Sequence, residues 1–354
     1  MTARKFLTSV FAFALVAILP GQAVVASPET ATVCKALHNK IDSQMEHVFV
    51  RDEFHVFYAL TGSQALPDRT DRNANDVPDS VEDVAAQLVA ARKLFSDVMQ
   101  LRHPLQQARY AHASAIYVFL ADIGKGRGSA FDEVSSYADV PDGKNRCVLR
   151  INLHRDNLVQ GVSPTHELFH LYQYGYSMFK VRWFTEGTAR WAEYAIRSGQ
   201  APEQLLPADE VALDQRLLGR TYAAGGIWNR LAVLLDPVGR LRLPVDLQAM
   251  TYLDGTPIVG DDVLHGVSFM RALLEELGKE SLQVSRQEGW QSYSWHEADQ
   301  QSAAYNAAIL RAVLAAINAQ ANQSEARNEE LESFVQTLRR RSEEVNPGLS
   351  PLPN

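Results

Sequence analysis

Long apolar stretches are absent from this 354-residue sequence after its N-terminal segment. The exception is Phe6 to Leu19, which follows Arg4 and Lys5 and precedes the small residues Val24-Val25-Ala26. This order is typical of a secretory signal peptide, with cleavage expected between Ala26 and Ser27. The apolar run is too short, and too close to the terminus, to favour a permanent membrane span. We therefore expect a secreted or periplasmic protein that has no stable membrane insertion after signal removal.

Cysteine is scarce, since only Cys34 and Cys147 occur. They do not form a C-x-x-C pair, and neither has a nearby histidine of the kind expected for a cysteine hydrolase. In an oxidising compartment, two cysteines favour one disulfide between the N-terminal segment and the core. The alternative is a pair of separate buried thiols.

Basic residues are outnumbered by acidic ones, 34 to 42, and the formal net charge is −8. Removal of residues 1–26 takes away Arg4 and Lys5 and no acidic residue, so the mature charge becomes about −10, from 32 basic and 42 acidic residues. This charge argues against a nucleic-acid partner and gives no reason to expect binding to anionic membranes.

Two other classes of functional motif are missing. The sequence contains no G-x-S-x-G elbow, so a serine hydrolase of that type is a poor interpretation. Gly124, Gly126 and Gly128 lack the G-K-[ST] ending of a phosphate loop and indicate a flexible turn.

The sequence does contain Thr165-His166-Glu167-Leu168-Phe169-His170, an H-E-x-x-H motif, where a helix is expected. Histidines four residues apart lie on one face of a helix and can bind a single zinc ion. Glu167 lies about 100° round the helix from His166, close enough to take a proton from a water that the metal activates. The five-residue pattern arises by chance in on the order of one such chain in a hundred. The residues that follow it therefore decide its interpretation.

A third protein ligand is needed, because catalytic zinc usually has three. The H-E-x-x-H-x-x-G-x-x-H solution is excluded, since Gln173 and Tyr176 stand where its glycine and third histidine would be. The other common solution places a glutamate on a following helix, and Glu186 fits it. Gly175 is a natural end for the first helix and leaves room for a reversal. Glu193, seven residues after Glu186, is expected to orient a ligand histidine.

The H-E-x-x-H motif with the downstream E-G-x-A-x-W arrangement resembles the gluzincins, the thermolysin-like clan of zinc metallopeptidases. The sequence is more closely similar to secreted bacterial proteins of metallopeptidase type. The similarity covers roughly residues 50 to 235 and includes an N-x-x-P-D-x-x-E pattern from Asn75 to Glu82. Arg190 stands where thermolysin-like enzymes have an aspartate, so the resemblance is to the clan rather than to that family proper. The resemblance implies zinc ligands His166, His170 and Glu186, with Glu167 as general base.

Periodicity along the chain indicates an α+β fold. Residues 81–101 have helical spacing, and residues 113–120 form an apolar run rich in strand formers. Val148 to Leu153 alternates as in a half-buried or edge strand. In zincins the strand before the metal helix is commonly an edge that receives an extended peptide, which the resemblance implies here.

Helical patterns dominate after Trp183, and residues 318–328 are polar and predict a linker. We expect a zincin-like domain at about residues 27–320, with a small mixed sheet, an edge strand and the metal helix. Its N-terminal lobe would span about residues 27–180, and a mostly helical lobe about 181–320. A charged helical tail with a frayed end would follow over residues 321–354.

A second metal site is predicted upstream of the motif, over Asp71 to Glu82. Oxygen side chains occupy positions 1, 3, 5, 9 and 12 of a calcium loop. Asp76 replaces the usual glycine, although aspartate can adopt the left-handed conformation. The alternative is a polar turn in which Asp79 caps the following helix. The expected calcium ligands are Asp71, Asn73, Asn75, the Val77 carbonyl, Asp79 and Glu82.

These patterns predict an exported zinc metallopeptidase that hydrolyses peptide bonds. Zinc would polarise the scissile carbonyl, and Glu167 would move a proton from water to the leaving amine. A further donor should stabilise the oxyanion, and Tyr222, Tyr194 and His265 are candidates. The alternatives are a zinc-binding scaffold without catalysis and a zinc hydrolase that acts on a non-peptide amide or ester.

Overall fold

The computed structural model describes residues 34–141, 146–158, 161–321 and 328–343. The predicted signal peptide, its cleavage site and the frayed C-terminal end lie outside these residues. Among the helices that are described, none is both long and apolar enough to cross a membrane.

Six strands form one mixed sheet in the order β1-β5-β6-β4-β3-β2. Strands β3, β4 and β6 are parallel, while β2 pairs antiparallel with β3 and β5 pairs antiparallel with β6. β1 pairs in parallel only with the last residues of β5, Ser135 to Tyr137. The strands are β1 Lys35–Leu37, β2 His47–Arg51, β3 Phe54–Tyr58, β4 Ile116–Ala121, β5 Gly128–Tyr137 and β6 Val148–His154.

The prediction that the strand before the metal helix is a sheet edge is wrong. β6 lies between β4 and β5. Its residues Leu149, Ile151 and Leu153 are buried as predicted, but Arg150 on the opposite face is buried as well. β5 escaped the sequence analysis because its ten residues are largely polar or small. In the part of the chain that is described, the stretch from Gly128 to Phe131 pairs on one side only, so it forms an open edge, as β2 does at the other end of the sheet.

Both faces of the sheet are covered, so every residue of β3 and β4 is buried, and His55 is the one residue of the two strands that is not hydrophobic. On one face, alternate residues such as Val118 and Ile151 join the main hydrophobic core with the helices. On the other face, a smaller core contains Phe57, Tyr117 and Phe119. Arg150 is tolerated there because Asp42 accepts two hydrogen bonds from its guanidinium, at 2.7 and 2.8 Å.

The mixed sheet and the helices fit an α+β fold: α1 (Asp79–Arg92) lies between the parallel strands β3 and β4, and the other described α-helices follow β6. The first helix continues as a π-helical turn, Lys93–Val98. The α-helices are α1 Asp79–Arg92, α2 Ser163–Tyr176, α3 Arg182–Ala192, α4 Glu210–Leu213, α5 Gly225–Leu235, α6 Val245–Gln248, α7 Val267–Glu288, α8 Glu297–Gln300, α9 Asn306–Ala321 and α10 Glu329–Ser342.

The C-terminal helices pack into the core rather than extending from it. Tyr305, Ile309, Val313 and Ile317 are buried, and α9 continues to Ala321, into the segment predicted as linker. Residues 322–327 of that segment lie outside the described residues. The apolar face of α10 is also buried in the main core.

Two local predictions have different outcomes. The disulfide is confirmed, since Cys34 and Cys147 are bonded and their Cα atoms are 5.6 Å apart. Gly175, in contrast, does not end the metal helix, because α2 continues to Tyr176 and only Ser177 is extended. A Cβ at Gly175 would collide with the Gln107 side chain, so this glycine serves close packing.

Candidate metal centre

Three side chains predicted from the sequence meet at one point. His166 and His170 lie one turn apart on α2, and Glu186 comes from α3. The Glu186 Oε2 atom is 3.3 Å from His166 Nε2 and 3.6 Å from His170 Nε2. One ligand atom from each residue lies within 4.8 Å of the others. Tetrahedral ligands about 2.1 Å from a zinc ion are about 3.4 Å apart, so this donor set fits one small divalent ion.

The position of Glu186 depends on how α3 packs. A Cβ at Gly187 would lie 2.6 Å from the indole of Trp228, so only glycine permits this contact with α5. The Trp228 indole N–H donates to the Trp183 carbonyl at 3.1 Å, and the two indoles are stacked. These contacts hold the first turns of α3 against α5, with Glu186 directed towards α2.

Glu193 contacts a ligand histidine, as predicted. The Glu193 Oε1 atom lies 3.0 Å from His166 Nδ1, and only 2% of Glu193 is exposed. Arg190 Nη1 donates to both Glu193 oxygens at 3.0 Å, and Arg197 lies 3.6 Å away. The arginine that departs from the thermolysin-like pattern therefore holds the carboxylate that orients His166.

Gln173 has the corresponding role for His170, and the sequence analysis missed it. The Gln173 amide nitrogen donates to the Thr185 carbonyl and the Thr188 hydroxyl, so its oxygen faces His170 Nδ1 at 2.6 Å. His170 must then donate from Nδ1, which leaves the Nε2 lone pair for a metal. The available signal was its position, three residues after His170 on the same helix face.

Glu167 lies against the open edge of β5. The backbone N–H of Ala130 donates to its carboxylate. A Cβ at Gly128 would lie 2.6 Å from the Glu167 carboxylate oxygen, so glycine is required for this approach. Burial raises the pKa of Glu167, and the neighbouring His170 and His166 only partly oppose this effect. A carboxylate with a raised pKa is a better proton acceptor than an exposed one.

The candidate ligands His166 and Glu186 shift each other's pKa values in opposite directions. Burial alone would lower the pKa of His166, but hydrogen bonds to Glu186 and Glu193 raise this pKa to about 9. Burial would raise the pKa of Glu186, yet the hydrogen bond with His166 and the nearby His170 ring hold this pKa well below its usual range. Without a metal, the centre is thus an imidazolium–carboxylate pair, and a bound metal replaces the proton.

The three predicted oxyanion donors lie in two places. The ring of Tyr222 is 6.0 Å from that of His166, and the Tyr222 hydroxyl is close enough to Glu186 to interact with its charge. Burial and the Glu186 charge raise the pKa of Tyr222, so its hydroxyl keeps its proton at neutral pH. Tyr194 and His265 instead line a separate cavity of about 450 Å³ beside Trp191. His265 Nδ1 already donates to the Asp236 carbonyl at 2.7 Å.

The predicted calcium ligands form a closed loop. Asp71 accepts the backbone N–H groups of Asn75 and Asp76, at 3.2 and 2.9 Å. Asp76 has the left-handed backbone that the loop requires, with a φ of 67°. The Asn73 and Asn75 amides each donate to Glu82 at 3.0 Å. The remaining predicted ligands are Val77, whose N–H donates to Asn75, and Asp79, which accepts from Arg72 N–H.

Comparisons with known proteins do not extend this description. No family model, no curated protein and no solved structure matches this chain.

Proposed function

We propose that this protein is an exported zinc metallopeptidase. The observation that carries the proposal is the convergence of His166, His170 and Glu186 beside Glu167, which is not a ligand. A purely structural zinc site has four protein ligands, whereas a site with three leaves a position for water and substrate. No fourth histidine, cysteine or carboxylate joins the group among the described residues.

The chain's own residues supply the proton transfers of this reaction. Zinc, when bound, activates a water molecule and polarises the scissile carbonyl. The Glu167 carboxylate accepts the proton from the attacking water and delivers it to the amine that leaves. Of the three oxyanion candidates, Tyr222 is favoured because its hydroxyl lies at the metal ligands and keeps its proton.

The peptide would bind along the open edge of β5 rather than along β6. The outer side of Gly128 to Phe131 has no strand partner among the described residues, so an extended segment can add along it. Ala130 lies in this stretch and donates to Glu167, so a peptide added here would run past the general base.

The experiment separates metal binding from catalysis. Purified mature protein should contain about one zinc per chain. Glu167→Gln keeps the shape of the side chain but removes its basicity, so zinc should stay while hydrolysis of a peptide library falls by orders of magnitude. Glu275→Gln, at an exposed carboxylate paired with Arg102, is the matched control and should change neither.

Two outcomes would replace this proposal. If wild type binds zinc but cleaves no peptide, amide or ester, the protein is a non-catalytic zinc scaffold. If wild type cleaves small esters or non-peptide amides and spares every peptide, it is a hydrolase of another substrate class.

A further inference from the structure

The solvent side of the metal centre carries a positive charge. Arg182 is the first residue of α3, and its side chain is 59% exposed. Its Nη2 atom lies 3.6 Å from Glu186 Oε1, whereas Glu186 Oε2 faces the two histidines. The guanidinium therefore lies on the outer side of the metal-binding carboxylate, where substrate must arrive.

A bound divalent ion would leave this charge uncompensated. Glu186 is the one carboxylate within 4.0 Å of Arg182 among the described residues. When Glu186 binds a divalent cation, the cation neutralises its charge, and Arg182 loses its counter-ion. The free donors of an exposed guanidinium match a carboxylate well.

The start of the proposed substrate edge is basic as well. Lys125 and Arg127 are exposed in the turn before Gly128, and neither forms an ion pair with a described residue. Asp122 precedes them in the same turn, and Asp132 and Glu133 follow on β5, so the positive charge is confined to the stretch from Lys125 to Arg127. Exposed basic residues beside a binding edge attract anionic substrates and repel cationic ones.

We propose that the centre selects acidic peptides and that Arg182 binds a substrate carboxylate close to the scissile bond. This inference rests on the proposed peptidase function and names its substrate class. Arg182 is then a specificity-determining residue, since its charge changes the affinity for substrate without taking part in proton transfer. The carboxylate can belong to an Asp or Glu side chain or to the C-terminus of the peptide.

Paired peptides test the inference. Each pair carries Glu or Gln at one of the four positions that flank the cleaved bond, and each is made with a free and an amidated C-terminus. For wild type, we expect kcat/KM about ten- to a hundredfold higher for the acidic member of a responsive pair, the range of one charge-assisted hydrogen bond. Loss of the preference on amidation identifies the C-terminal carboxylate, and its persistence identifies the side chain.

Arg182→Met should abolish the preference, because it should lower kcat/KM for the acidic peptides far more than for the neutral ones, mainly through KM. Arg51→Met is the matched control, because Arg51 is exposed on β2 at the opposite end of the sheet order, and it should keep the preference. Calorimetry provides a readout without turnover. Zinc-loaded Glu167→Gln should bind the acidic peptide more tightly than the neutral one, and adding Arg182→Met should remove the difference.

Three results would overturn the inference. If wild type cleaves Glu and Gln peptides equally well, the selectivity is absent while the peptidase function holds. If Arg182→Met loses zinc and slows all peptides alike, Arg182 only positions Glu186. If zinc-loaded wild type cleaves no peptide at all, the proposed function fails and this inference fails with it.

Discussion

The two metal sites predicted from the sequence are built in different ways. The His166, His170 and Glu186 centre joins two helices, and its three ligands are mostly buried. The loop from Asp71 to Glu82 takes all its candidate ligands from twelve consecutive residues, and Asn73 and Asn75 are the exposed ones among them. The first site is held by the fold around it, and the second is held mainly by its own hydrogen bonds.

The two sites also differ in the hydrogen bonds that their candidate ligands already make. At the His–Glu centre, the outer imidazole nitrogens are hydrogen-bonded to Glu193 and Gln173, which directs both Nε2 atoms inward. In the loop, the Glu82 oxygens are themselves occupied by amide donors from Asn73 and Asn75. A cation can enter the first site by displacing a proton, but in the second it must also displace these amide contacts.

Removal of a direct ligand should have the largest effect and should separate the two sites. We expect Glu186→Ala to lose most of the zinc, because two histidines alone do not form a tight site. His166→Ala and His170→Ala should behave alike. Metal analysis after dialysis measures this loss, with Glu82→Ala as the control that keeps its zinc. Full zinc retention in Glu186→Ala would require a different third ligand and would contradict the proposed likeness to gluzincins.

Substitution of a residue that contacts a candidate ligand, rather than of the ligand itself, should have a smaller effect on zinc binding. Glu193→Gln removes the charge that accepts the His166 Nδ1 proton and that pairs with Arg190. Outer contacts of this kind are typically worth about 10–100-fold in metal affinity. A competition titration against a zinc chelator should therefore show weakened binding but not its loss. Unchanged affinity would mean that the fold alone orients His166.

Proton release on metal binding provides a third way to distinguish the two sites. The pKa of His166 is raised to about 9 by Glu186 and Glu193, so below that pH its charged form predominates. Zinc needs the neutral imidazole, hence binding at pH 7 should release about one proton. The apparent zinc affinity should rise with pH and level off above about 9. Calorimetry in buffers of different ionisation enthalpy counts the protons, and zinc binding without proton release would contradict this assignment.

Much of the centre could be predicted because its residues lie in short, periodic motifs. His166 and His170 are constrained by helix geometry, and Glu193 shares a helix face with Glu186. Gln173 was considered only as a departure from another motif, since its role depends on the tertiary contact with Thr185 and Thr188.

The sheet was predicted only in part, for a physical reason. β4 and β6 are buried on both faces, and their apolar residues make them visible in the sequence. β5 pairs on one side only over Gly128 to Phe131, and backbone hydrogen bonds rather than apolar periodicity hold it in place. An open edge packed against Glu167 needs small residues such as Gly128, and small residues leave no strand signal.

The smallest effect is expected for calcium binding at the loop from Asp71 to Glu82. Calcium that binds only the folded state should raise the Tm, by several degrees at concentrations far above its Kd. Glu82→Gln should weaken this response, because it removes the charged and potentially bidentate ligand, while zinc content stays the same. Melting curves recorded with zinc present and calcium varied measure the effect. If wild type melts at the same temperature in chelator and in millimolar calcium, Asp71 to Glu82 is a polar entry to α1, stabilised by its own hydrogen bonds.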